Sequence, residues 1–182
     1  EYKGVKYSPA MLGKYQIYNA LTAICALEIL NIDSQFIASG IGRARALGRY
    51  EIISQKPRII LDVGHNPGGI ESLKKSLKND KKIKNLTVIF GVLKDKNYPF
   101  AIREVASAAN KIICITPDSP RAMSADECAD AVRKCGYTGA VSVMDTIEEA
   151  VQLAYRMSQK KNTGVCAFGS LYSVGAISRA GP

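Results

Sequence analysis

Asp62 and His65 stand three residues apart in the stretch LDVGHNPGGIESL, residues 61 to 73, and His65 is the only histidine of the chain. A short apolar run leads into Asp62. An aspartate at the end of a buried parallel strand is a usual place for a carboxylate that orients a ribose or a magnesium ion. The backbone then turns through Gly64. Asn66 suits the N-cap of a helix, and Pro67 suits its first position, where a missing N–H costs nothing. The start of that helix directs free amides and partial positive charge at the crevice beyond the strand. A phosphate-bearing ligand fits such a site. The bland alternative is that Asp62 caps a turn and His65 is a structural loop residue, and spacing alone leaves both open. The stretch is not a GxGxxG fingerprint, and no GxxxxGK[ST] loop occurs in the chain.

These residues need a scaffold, and the pattern around them supplies one. Apolar runs at Arg58–Val63, Leu86–Val92, Lys111–Thr116, Ala140–Val143 and Thr163–Phe168 predict strands. Between them lie helical patterns at Gly69–Leu77, Tyr98–Asn110, Ser124–Cys135 and Thr146–Ser158. Ser124 with Glu127, and Thr146 with Glu149, predict capping boxes. Strands that read as continuous apolar runs are buried on both faces, which predicts a doubly wound, mostly parallel α/β sheet. In such sheets ligands sit beyond the carboxyl ends of the strands. Asp62, Gly91, Thr116 and the Phe168-Gly169-Ser170 turn fall there. A final helix or extended piece is expected over Leu171–Ile177, and Tyr50–Ser54 reads as an edge strand. Residues 1–44 differ. Leu12–Leu30 reads as one long amphipathic helix and Asn31–Ile41 as a short one, with no strand beside them. They look like the tail of a preceding domain.

Composition narrows the classes. The chain has 182 residues, 47% hydrophobic and 23% charged, as in an ordinary globular protein. No apolar run reaches the length of a membrane span, and the N-terminus has no signal-peptide core. The chain opens on Glu1, not Met, and is expected to be a piece of a longer protein. Five cysteines, an odd number with no CxxC, predict reduced thiols in a cytoplasmic protein and no zinc site. The net charge is +9. Its densest source, KKSLKNDKKIK from Lys74 to Lys84, reads as the solvated end of a helix and the following loop. It lacks the interleaved aromatics of single-strand binders, so nucleic acid is not the expected partner.

Taken together, Gly48-Arg49-Tyr50-Glu51, Asp62-Val63-Gly64-His65-Asn66-Pro67, Gly91-Val92-Leu93-Lys94-Asp95-Lys96, Pro120-Arg121-Ala122 and Gly169-Ser170-Leu171-Tyr172 resemble the folylpolyglutamate synthase / dihydrofolate synthase family of the Mur ligase superfamily. Upstream, Gly13-Lys14-Tyr15-Gln16 with Asn19-Ala20 resembles the segment closing that family's central ATPase domain. The resemblance covers nearly the whole chain and keeps the family's order. It implies a Rossmann-like C-terminal ligase domain over residues 45–182, with residues 1–44 as the end of the central ATP-binding domain. It implies ATP-dependent addition of glutamate to folate or dihydropteroate through an acyl phosphate, in a cytoplasmic monomer without membrane or nucleic-acid partners.

Residue by residue, the resemblance implies Asn19 at the adenine and Arg49 at the nucleotide phosphates. Asp62 would lie at the ribose or nucleotide, and His65 near the phosphates as the catalytic histidine. Arg121, Ser170 and Tyr172 would line the substrate side. ATP and Mg2+ are the implied cofactors, with metal ligands expected mainly upstream. There are departures: Tyr15 stands where the family has histidine, Val63-Gly64 where it has Gly-Ala, and Gly68-Gly69 follows Pro67. The P-loop, the magnesium ligands and the modified lysine of the central domain are not in this sequence, so the chain alone is expected to be inactive. A Mur-type ligase with another substrate and a non-catalytic binding module are the alternatives.

Overall fold

The structure, a computed structural model, describes residues 1–11, 13–64, 66–160, 162–169, 173 and 175–177, with the backbone alone of Lys14. Two helices, α1 (Lys14–Ile29) and α2 (Ser34–Arg43), precede the sheet. Then follow β1 (Glu51–Gln55), β2 (Arg58–Asp62), α3 (Pro67–Asn79), β3 (Asn85–Phe90), α4 (Tyr98–Ala106), β4 (Lys111–Cys114), α5 (Ala125–Lys134), β5 (Ala140–Val143), α6 (Ile147–Met157) and β6 (Thr163–Phe168). The six strands form one sheet in the order β1-β2-β6-β3-β4-β5. All neighbours are parallel except β1, which pairs antiparallel with β2 at the edge.

Alternation along the strands divides the core. Ile60, Val88, Phe90, Ile112, Cys114, Cys166 and Phe168 face α3, α4 and α5, which contribute Leu73, Ile102 and Val132. Ile59, Leu61, Ile89, Ile113, Val165 and Ala167 face the opposite side, where α6 contributes Ala150, Val151 and Ala154. Helices on both faces make the sheet doubly wound, as the apolar runs predict. A third, separate cluster of Ala20, Ile24, Ile37 and Ile41 joins α1 to α2.

Several boundaries move for local reasons. The pattern predicts helix to Asn110, but α4 stops at Ala106. The Asn110 backbone N–H donates to the Leu86 carbonyl, and its side-chain oxygen accepts from the Leu86 N–H at 2.8 Å. A residue clamped to the start of β3 in this way cannot also continue the helix. Ser124 and Glu127 form the full capping box of α5. Thr146 forms only the forward bond, accepting from the Glu149 N–H. The expected amphipathicity of α1 is not found: Ile24 is buried, yet Ile17, Tyr18 and Ile29 are 60%, 72% and 80% exposed. Its apolar side chains run around the helix, not along one stripe. The piece expected over Leu171–Ile177 is helical at Ser173 and over 175–177. No helix among the described residues is long and apolar enough to cross a membrane.

Candidate functional site

The parallel register sets Asp62, Phe168, Phe90, Cys114 and Val143 in one row across the carboxyl ends of the strands. Phe90 and Phe168 stack with ring centroids 4.8 Å apart. Beyond them the two backbones nearly touch: a side chain at Gly169, φ +112°, would begin 2.5 Å from the Gly91 carbonyl oxygen. The tips of β3 and β6 therefore form a floor of bare peptide.

Asp62 closes one end of this row and is 4% exposed. Its Oδ2 accepts the Tyr50 N–H at 2.9 Å and its Oδ1 accepts the Gly64 N–H at 2.7 Å. A Cβ at residue 64 would lie 2.7 Å from that same Oδ1, so glycine suits this close approach. Burial raises the Asp62 carboxyl above the ordinary range, while the N–H groups of Gly64 and Tyr50 and the charge of Arg49 pull it back. The turn then enters α3. Asn66 Oδ1 accepts the Gly69 N–H at 2.8 Å and Pro67 begins the helix, as the sequence predicts. No acidic side chain occupies the first turn of α3, and the Asp62 carboxylate lies just before it.

Arg49 lies on the segment before β1, half-buried. Its neighbours are held on both sides. The Gly48 carbonyl accepts the Val63 N–H at 2.7 Å, the Gly48 N–H donates to Glu51 Oε2 at 2.7 Å, and the Tyr50 N–H donates to Asp62. Gly48 and Tyr50 both take left-handed backbone angles, φ +63° and +48°. Tyr50 keeps this conformation with its ring buried and its hydroxyl 3.2 Å from both the Ser76 carbonyl and Asp80 Oδ2. Arg49 itself forms no ion pair with the described residues, and its charge acts on Asp62 and on Tyr15.

The start of α1 reaches the same place. Burial and the negative Asp62 raise the Tyr15 phenol, and Arg49 opposes them. Gln16 beside it is 3% exposed, and its Oε1 accepts from the Asn19 amide at 2.9 Å. Asn19 itself is exposed. The structure thus brings Arg49, Asp62 and the first turn of α1 together. Arg121 belongs to a different cluster: exposed on the loop after β4, it pairs with Asp95 at 2.9 Å. That loop is laced to the β3–α4 loop by Lys94 N–H to the Arg121 carbonyl and Met123 N–H to the Val92 carbonyl. His65, Ser170 and Tyr172 lie outside the described residues. Among those that are described, no three His, Cys, Asp or Glu side chains gather in a way that could hold a metal ion.

Tyr15, Tyr50, Glu51 and Asp95 are site residues to which the sequence assigned no role. All four sit inside the quoted motifs, which is the one signal that marks them. Two cavities lie where neither Arg49 nor Asp62 lines them. One of about 510 Å³ lies between α4 and α5, lined by Lys94, Tyr98, Met123, Glu127 and Cys135. Another of about 480 Å³ lies along α3, lined by Gly13, Tyr50, Lys75, Asp80 and Lys82.

Comparison with known proteins agrees with this geometry. Residues 48–171 match the family model described as Mur ligase, glutamate ligase domain. The chain is 33% identical over 128 residues to a dihydrofolate synthase/folylpolyglutamate synthase of Bacillus subtilis, covering 67% of this chain and 30% of that protein. It is 27% identical over 161 residues to a UDP-N-acetylmuramoyl-L-alanyl-D-glutamate--2,6-diaminopimelate ligase of Clostridium acetobutylicum, covering 85% and 33%. Among solved structures, Escherichia coli FolC in complex with DHPP and ADP superposes with a TM-score of 0.81 at 26% identity, covering 94% of this chain and 39% of that one. The chain therefore spans roughly a third of the length of these relatives. The sheet, its row of strand ends and the matched residues lead to one conclusion: the chain belongs to the Mur ligase family, and residues 48–171 are its glutamate ligase domain.

Proposed function

We propose that this chain is the C-terminal part of an ATP-dependent ligase that joins glutamate to folate or dihydropteroate. Residues 45–182 form the C-terminal domain, and residues 1–44 close the central ATP-binding domain. The observation that carries the proposal is the meeting of Arg49, the Asp62 turn and the start of α3 at one strand end. The exposed apolar side chains of α1 and α2 support the division into domains. Phe36 and Ile29 are 66% and 80% exposed, as expected of helices that complete their core against further chain.

In the proposed reaction the acceptor carboxylate takes the γ-phosphoryl group of ATP and ADP leaves. The glutamate amine attacks the acyl carbon, and phosphate leaves as the amide forms. Phosphorylation supplies the leaving group that a carboxylate lacks, and the chemistry requires positive charge around the transferred group. Arg49 and the α3 terminus supply that charge from this chain, and His65 acts beside the phosphates. Asn19, through the amide pair it shares with Gln16, meets the adenine. Arg121, Ser170 and Tyr172 serve the acceptor side. Magnesium accompanies the nucleotide, with its protein ligands outside the described residues. The protein works as a cytoplasmic monomer on small molecules, and its positive charge gathers polyanionic substrates.

The 27% identity to a diaminopimelate ligase favours a second function, a Mur-type ligase with another acceptor. Phosphate and ADP release by the full-length protein distinguishes them, with ATP, magnesium and glutamate and with dihydropteroate or tetrahydrofolate as acceptor. Acceptor-dependent turnover is expected, reduced on the order of 100-fold by Arg49→Ala and also by His65→Ala. A folded protein that binds ATP and turns over neither acceptor overturns the folate assignment.

A further inference from the structure

We propose that the groove along α3, reaching to the amino ends of β2 and β6, binds a linear polyanion: a small molecule with several phosphates or carboxylates on one chain. This goes beyond the ligase reading and does not depend on it. The groove is two joined cavities. The first, of about 480 Å³, lies along α3 and is bordered by Gly13 and Tyr50. The second, of about 430 Å³, lies where β2 and β6 begin, bordered by Lys56, Ser158 and Thr163. Arg58 and Lys82 line both, so the two are continuous.

Five lysines stand around this groove: Lys75, Lys81 and Lys82 at the first cavity, Lys82 again with Lys56 and Lys160 at the second. None forms an ion pair with a described residue. Asp80 is the one carboxylate on either wall, and it is already occupied by Arg58, the Tyr50 hydroxyl and the Lys82 N–H. The carboxyl ends of α3 and α6 also lie here, but each brings only about half a negative charge. Arg58 is 9% exposed yet borders both cavities, and Asp80 and Gln55 engage only two of its N–H groups, of the five a guanidinium carries. Ser72 and Ser76 add hydroxyls that bond no described residue. Charge and donors thus face an acceptor that these walls do not supply. From Ser72 to Asn79 the wall runs about 10 Å along the helix, so a single anion meets part of the set and a chain of anions meets all of it. The volumes suit a small molecule. Tyr50 is the one aromatic residue on the groove and is buried, so bases find no stacking platform there.

The test is calorimetric titration of the full-length protein with inorganic tripolyphosphate and, separately, with triglutamate. Wild type is compared with Lys82→Glu, Lys75→Glu, Lys134→Glu and Arg49→Ala. Lys134 lies on α5 and lines neither cavity, and Arg49 stands at the Asp62 edge. Wild type is expected to bind at least one probe. Tighter binding of tripolyphosphate identifies phosphates as the charges the groove takes, and tighter binding of the peptide identifies carboxylates; either result supports the groove. Lys82→Glu and Lys75→Glu are each expected to weaken that binding on the order of 10-fold, with Lys134→Glu within about twofold of wild type. Both groove changes relieve like-charge repulsion, so the melting temperature should not fall and the loss is not unfolding. An equal loss in Lys134→Glu shows diffuse attraction to the net charge and overturns the proposal. Loss in Arg49→Ala with both groove variants unchanged places the probe at the nucleotide edge and overturns it too, as does a folded wild type that binds neither probe. A protein that binds a probe in the groove and no nucleotide sinks the ligase reading and leaves this inference standing.

Discussion

Arg58 and Asp80 are the most buried ion pair among the described residues, Nε to Oδ2 at 2.5 Å with side chains 10% and 8% exposed. Gln55 accepts a second guanidinium bond at 2.7 Å, and the Tyr50 hydroxyl leans on the same carboxylate. Burial and the negative Asp80 push the Tyr50 phenol up, so it stays a neutral donor. Removing Asp80 leaves the guanidinium buried with no opposite charge, a more costly state than never having had the pair. Asp80→Ala is expected to lower stability by about 3–5 kcal/mol, read as a shift of the urea midpoint. A surface role for Asp80 would leave that midpoint unmoved. Nothing in the sequence marks this residue. It lies in KKSLKNDKKIK, which reads as a solvated helix end, and the lysines around it are indeed mostly exposed. Its partner Arg58 is brought from a strand 22 positions earlier, and a composition window cannot see such a pairing. The same holds for Asp62, whose place at a strand end is legible while the direction of its two oxygens is not. His65 is legible as a candidate and lies outside the described residues.

Elements are where local rules had most force. Apolar runs located all five of the parallel strands, and Ala140–Val143 and Thr163–Phe168 coincide with β5 and β6. Side-chain caps located the starts of α3, α5 and α6 within a residue. These succeed because alternation and capping are satisfied within a few residues of chain. Ends failed where tertiary bonds intervened, as at Asn110. The strand order was not legible: β6, last in sequence, inserts between β2 and β3, and only long-range pairing decides that. The α5 cap also titrates. The Ser124 backbone N–H, then Lys94, hold the Glu127 carboxyl below its ordinary 4.5. A lowered folded pKa means its stabilisation is complete above the unfolded value and is lost as pH falls through the folded one. Glu127→Gln should therefore narrow the stability difference between neutral pH and about pH 3 seen in wild type, measured by thermal melting at both. An unchanged difference would mean the box does not titrate with folding.

At the scale of the whole molecule, two cores flank one sheet, and three of the five free cysteines lie within them. Cys114, Cys128 and Cys166 are buried, and Cys25 and Cys135 are half-buried. A hydrogen bond with Cys114, then burial, raises the Cys128 thiol, and burial raises Cys166. Thiols react as thiolates and need access. Native protein is expected to be alkylated at Cys25 and Cys135 first, with the other three labelled only on unfolding, as mass spectrometry over a urea series would show. Early labelling of Cys166 would mean that the sheet opens locally. The floor where β3 and β6 end has a different consequence. Where Gly169 meets the Gly91 carbonyl there is no room for even one methyl group, so mutation has no side chain there to vary. Variety at this edge is left to the loops around the floor, because the floor itself has no place for a side chain.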